Sequence, residues 1–167
     1  MDRIDHHRTT SLSTIEISSI HKDELVQQFR DFFETSSNDP LGDYRTYVVK
    51  RDASGNRLES LAELLDRQDI RYNTVNSSQS GEGFSYQSGD DEAEYTIEPG
   101  DMVISAYQPK SVLTQVLFDP ESELEDSLTY DITAWSLPYA YGLESYATTA
   151  KIKALSLIHI SEPTRPY

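Results

Sequence analysis

Two short β-branched runs separated by one leucine-rich stretch constrain this chain more than any other feature. Residues 46–50, "TYVVK", read as a strand, and "RDASGN" after them as a turn. "RLESLAELLDRQ" then places Leu58, Leu61, Leu64 and Leu65 on one side of a helix, and residues 70–75, "IRYNTV", read as a second strand. A strand, a helix and a strand within about thirty residues predict a right-handed βαβ crossover, because a twisted strand feeding a right-handed helix packs back onto its sheet with that hand.

The flanking sequence is fitted around that crossover. Upstream, from Ser13, the apolar residues Ile17, Ile20, Leu25, Phe29, Phe32 and Phe33 recur at helical steps, and Ser13 with Glu16 is spaced as a capping box. An amphipathic helix is expected there, followed by "ETSSNDPLG", whose turn formers read as a linker. Downstream, "NSSQSGEGFSYQSGDDEAEY" is polar, glycine-bearing and acidic, which predicts a disordered loop or an excursion by short edge strands. Residues 95–97 and 102–105 are strand candidates on either side of a Pro99-Gly100 turn. "QPKSVLTQVLFDP" predicts a helix whose first turn tolerates Pro109, with Val112, Leu113, Val116 and Leu117 on its buried side. No internal repeat occurs. The expected fold class is α/β, an N-terminal amphipathic helix followed by a small, truncated βαβ-containing sheet domain. Its expected divisions are residues 1–38, 44–150 and a tail, 151–167.

Charge narrows the partners. Fourteen Lys and Arg stand against 29 Asp and Glu, a formal charge of -15, so phosphate backbones and anionic lipid surfaces are repelled. Neither nucleic acid nor membrane is an expected partner. A chain of 167 residues is long enough for one domain with a substantial core. It has no cysteine, hence no disulfide, thiolate nucleophile or cysteine metal site, and its composition fits cytosol, periplasm and exterior equally. No apolar run follows the charges of "MDRIDHHRTT", so no signal peptide is expected, and no segment reaches the ~18 apolar residues of a membrane span.

Several residues have the chemistry of a site. His21 and Glu24 spell H-x-x-E, a zinc-ligand spacing, but a hydrolytic zinc needs a third protein ligand and a carboxylate base. A solvated helix face is the expected role of this pair. His6 and His7 are adjacent, a poor spacing for two ligands on one metal. Glu125 and Asp126 could do acid and base work only if a cleft split their pKa values, and an acidic run is ordinarily solvated surface. No nucleophile elbow, phosphate loop or dinucleotide glycine fingerprint occurs. In "YDITAWSLPYAYG", Tyr130, Trp135, Tyr139 and Tyr141 are dense enough to be costly if exposed. They are expected to plug a core or, in the alternative, to form the binding wall of a peptide- or glycan-binding interaction module.

Three stretches, "RTTSLSTIEIS" with "LVQQFRDFF", "GDMVISAYQPKSVLTQVLFDP" and "DSLTYDITAWSLPYAYGLESYA", resemble large bacterial zinc carboxypeptidases of the carboxypeptidase A superfamily. The likeness covers nearly all of residues 8–148. It implies that the first stretch is the last helix of a catalytic domain and that the other two belong to an accessory α/β domain, similar in outline to the amidotransferase-like fold. By that resemblance the zinc ligands, the substrate-binding arginine and the glutamate base lie upstream of residue 1. No catalytic, cofactor-binding or metal residue is therefore assigned here; zinc is a cofactor of the parent, not of this fragment. The implied partner is the parent's own catalytic domain, peptide substrate is met only through it, and the parent is exported to the periplasm or exterior. Residues 155–165, "LSLIHISEPTR", match the translation of a transposase adapter used in making sequencing libraries. The tail thus resembles adapter read-through, with His159 no ligand and the natural frame cut near Ala154.

Overall fold

A computed structural model describes residues 2–75, 77–121 and 136–152. The chain divides into two units, Met1–Thr35 and Ser36–Tyr167.

The first unit is helical. α1 (Asp2–Ile20) is followed after one residue by α2 (Lys22–Asn38). The helix thus begins well before Ser13, and the Ser13/Glu16 pair lies in its interior instead of capping it. Ser11 Oγ donates to His7 O and Thr14 Oγ1 to Thr10 O, both at 2.8 Å, so these poor helix formers spend their hydroxyls on the preceding turn. "ETSSNDPLG" is likewise not all linker: α2 runs on to Asn38, and Ser36 within it is buried. The helix stops just before the Asp39-Pro40 pair, where proline disfavours helical geometry in its predecessor.

The second unit is an α/β fold built on a six-stranded sheet. Its strands are β1 (Thr46–Val49), β2 (Asn73–Thr74), β3 (Gln79–Ser85), β4 (Ala93–Ile97), β5 (Met102–Ser105) and β6 (Ser145–Thr148), in the order β2-β5-β1-β6-β3-β4. Its helices are α3 (Asn56–Arg67), α4 (Ser111–Phe118) and α5 (Leu137–Tyr141). The β1–α3–β2 crossover is present in split form. β5 lies between the two strands it connects and is antiparallel to both.

Alternation along the strands creates two cores. Tyr47 and Val49 of β1, Met102 and Ile104 of β5 and Ala147 of β6 face one side, where Leu61 and Leu65 of α3, Phe118 of α4 and Leu137 of α5 cover them. Leu58 and Leu64 pack at the margin, as the leucine spacing predicts. Val48 and Val103 face the other side and meet Val75, Tyr95 and Ile97. Being covered on both faces, β1 is buried at all four positions, which is why it reads as an unbroken apolar run.

The cover of the second face comes from Tyr95 and Ile97, the ends of the 95–97 strand candidate, which is part of β4, and β4 is held by β3 from the segment expected to be loop or edge strand. β3 and β4 form a hairpin pairing Gln79 with Ile97 through Gly83 with Ala93; β3 then pairs with β6 at Phe84 and Ser85. Disorder was the wrong half of that expectation. Phe84, Tyr86, Tyr95 and Ile97, spaced by two among polar residues, are all buried. The strand changes partner at Gly83, where an added Cβ would stand 2.4 Å from Ala147 O, so only glycine admits the close approach.

α4 is rotated from its expected phase. Ser111, Thr114 and Phe118 are its buried residues, Leu113 and Leu117 flank them, and Val116 is exposed. A phenylalanine at the last position outweighs the valines in setting which side faces the sheet. After β6, Thr46 Oγ1 donates to Ala150 O at 2.9 Å and accepts from Ile152 N–H at 3.2 Å, and Ile152 packs on the second core.

Candidate functional site

The densest polar arrangement lies where β1 ends against the β4–β5 turn. Asp101 is almost wholly buried. Its carboxylate accepts from Lys50 Nζ at 2.5 Å, from Arg51 N–H at 2.9 Å and from Glu98 N–H at 2.7 Å. Lys50 also donates to Thr96 O at 2.6 Å and reaches Glu98 at 3.5 Å, so one ammonium ties β1 to the hairpin and to the turn. Gly100, with φ of 96°, supplies the left-handed residue that the Pro99-Gly100 turn needs. Gln108, also buried, works in the same way at the far end of β5. Its Oε1 accepts from Arg71 N–H at 2.7 Å, and its Nε2 donates to Arg71 O at 3.1 Å and to Ser105 O at 2.7 Å. Gln108 is consumed by backbone and Asp101 by backbone and the Lys50 ammonium, and side chains so occupied orient chain segments instead of substrate.

A second polar surface lies on the hairpin. Glu82 and Glu94 stand opposite each other across β3 and β4, and Ser80 Oγ lies 3.1 Å from Thr96 Oγ1. With Gly81 and Tyr95 they line an open groove of about 610 Å³. Like charges directly opposed across strands repel, and both glutamates are exposed to water that screens them. Sequence reading missed Lys50, Asp101 and the Glu82/Glu94 pair, because each depends on strand register.

The residues singled out from sequence fare differently. His21 and Glu24 do come together, with Nδ1 3.2 Å from Oε2, on an exposed helix surface where both side chains are more than half exposed. Glu24 Oε1 also accepts from Gln28 Nε2 at 3.2 Å, and among the described residues no group of three or more His, Asp or Glu could hold a metal ion. His6 and His7 are exposed on α1. Tyr139 is 43% exposed and sets its ring edge-on to Tyr86 at 5.2 Å; Tyr141 packs at the margin of the first core. Burial pushes the Tyr86 phenol well above its usual pKa, and its hydroxyl donates to Phe118 O. Glu125, Asp126, Tyr130, Trp135 and His159 lie outside the described residues.

No family model, curated protein or solved structure matches the chain. Fold and polar sites together define an α/β module with a split βαβ sheet covered on both faces.

Proposed function

We propose that this chain is a non-catalytic accessory module of a zinc-dependent metallocarboxypeptidase, the parent removing C-terminal residues from peptides. The observation that carries the reading is the employment of Asp101 and Gln108. Both are buried polar residues of the "GDMVISAYQPKSVLTQVLFDP" stretch that resembles the family, and at the two ends of β5 Gln108 bonds backbone alone while Asp101 bonds two backbone N–H groups and the Lys50 ammonium. The stretch therefore serves architecture: it forms the turn, β5 and α4, three consecutive pieces of one packed unit. In the parent, zinc would polarise the scissile carbonyl from another part of the chain. This module would present its sheet as a rigid neighbour of that domain.

Calorimetric titration with zinc, paired with an assay for release of C-terminal residues from peptides, tests the reading. The isolated chain is expected to take up no stoichiometric zinc and to release no residue. Tight one-to-one uptake accompanied by hydrolysis would show that the chain carries its own centre.

A further inference from the structure

We propose that Tyr95 and Tyr146 are an oxidative cross-linking site, at which a one-electron oxidant joins the two rings ortho to ortho as dityrosine. The proposal lies wholly within the sheet unit and stands without the carboxypeptidase reading. The chain has no cysteine, two methionines, one tryptophan and 11 tyrosines, so phenols are its most numerous oxidisable side chains. Three tyrosine pairs among the described residues have neighbouring rings. Tyr44 and Tyr47 lie 6.4 Å apart between centroids, and Tyr86 and Tyr139 lie 5.2 Å apart but edge-on, at 67°. Ortho-to-ortho coupling needs two ring edges side by side with their planes only moderately twisted. Tyr86 is held from turning into that arrangement by its burial and by its bond to Phe118 O. Of these pairs only Tyr95 and Tyr146 combine a 5.1 Å separation with planes 32° apart.

A glycine makes the approach possible. In the sheet, β3 lies between β4, which carries Tyr95, and β6, which carries Tyr146. The register sets Gly81 opposite Tyr95, and a Cβ added there would stand 2.5 Å from the Tyr95 hydroxyl oxygen, so the ring lies over the space that glycine leaves. Tyr95 is buried in the second core and Tyr146 packs against that core, which keeps both rings in place. Burial raises both phenol pKa values, so at neutral pH each ring must lose a proton along with its electron. The Tyr146 hydroxyl donates to Glu144 Oε1 at 2.9 Å, which supplies a base for that proton. The step consumes two one-electron equivalents. Each phenol gives one electron to the oxidant and one proton away, that of Tyr146 to the Glu144 carboxylate and that of Tyr95 to solvent. The two phenoxyl radicals then share their unpaired electrons in one carbon–carbon bond, and shift of each ortho hydrogen to its phenolic oxygen restores both rings. The product has lost two hydrogen atoms. It closes a loop from residue 95 to residue 146 and restrains the unfolded chain as a disulfide does.

Illumination of the whole chain, at low micromolar concentration, with tris(bipyridyl)ruthenium and persulfate generates a one-electron oxidant and tests the site. The expected product is a monomer with the blue fluorescence of dityrosine, in which tryptic peptides 72–110 and 111–151 are joined with the loss of two hydrogen atoms. Tyr95→Phe and Tyr146→Phe are each expected to abolish the linkage. Tyr139→Phe, which removes the edge-on pair carried by the same two peptides, is expected to leave it intact. Gly81→Ala keeps every tyrosine but pushes the Tyr95 ring aside, and is expected to lower the yield several-fold. An oxidised monomer without the linkage would overturn the proposal. So would a linkage that survives Tyr95→Phe or Tyr146→Phe, vanishes in Tyr139→Phe, or is undiminished in Gly81→Ala.

Discussion

Asp101 ties the end of β1 to the β4–β5 turn through three polar bonds. Its buried carboxylate is met by one ammonium and two backbone N–H groups from two places in the chain, Lys50-Arg51 and Glu98. Asp101→Ala leaves the largely enclosed Lys50 with only Thr96 O and the more distant Glu98, and two N–H groups unmet, so a loss of about 3 kcal/mol is expected in urea unfolding. Lys50→Met should cost clearly less, because Asp101 keeps both backbone donors. A loss within a few tenths of a kcal/mol for Asp101→Ala would contradict this role. The tyrosines set the alkaline limit. Burial first, then the Glu144 carboxylate, pushes Tyr146 up to about 12, and burial with Asp66 does the same to Tyr72. Burial moves Tyr47 and Tyr86 in the same direction. Below the ordinary tyrosine pKa of ~10 both folded and unfolded chains hold these protons, and the stabilisation is intact. Above it the unfolded chain ionises first, so stability falls progressively as pH rises through the folded values. Urea midpoints that stay level from about pH 10 to about pH 12 would contradict the buried placement of these phenols.

Among the elements, those with strong periodicity were legible and those built from small or polar residues were not. The four leucines of α3 announced its buried side. The helix opens where Asp52 Oδ1 accepts from Leu58 N–H and Ser54 Oγ donates to Asp52 Oδ2, the Ser54 hydroxyl above all holding that carboxyl below its usual range. β6 was hidden: Ser145, Tyr146, Ala147 and Thr148 carry too little apolar bulk to read as a central strand, yet they lie between β1 and β3. The hairpin was legible only in part, as the 95–97 strand candidate and as one of two readings of the segment before it, because the glycines of β3 blur its pattern although Gly83 is what lets it close onto the sheet. Gly83→Ala should therefore cost on the order of 1–3 kcal/mol, since the methyl meets a backbone carbonyl that cannot move alone. Gly89→Ala meets no neighbouring atom and bears only the strain of its φ of 68°. Equal midpoints for Gly83→Ala and wild type would place the hairpin elsewhere.

For the whole molecule, the class of fold could be read from residues 46–75, while strand order could not. A strand–helix–strand pattern fixes that two strands run parallel; it does not reveal that β5 enters between them. The polar sites were illegible for the same reason, since Lys50 meets Asp101 and Glu82 meets Glu94 only in the final register. The architectural reading depends on the sheet being one cooperative body in which β6 and the hairpin are as integral as β1. Native-state hydrogen exchange tests this most directly. Amides of β1, β5 and β6 are expected to exchange together, at the free energy of global unfolding, with those of the β3–β4 hairpin close behind. Exchange of β6 and the hairpin far faster than β1 and β5, at a free energy near zero, would mean that the sheet ends at β1 and that its second face is uncovered.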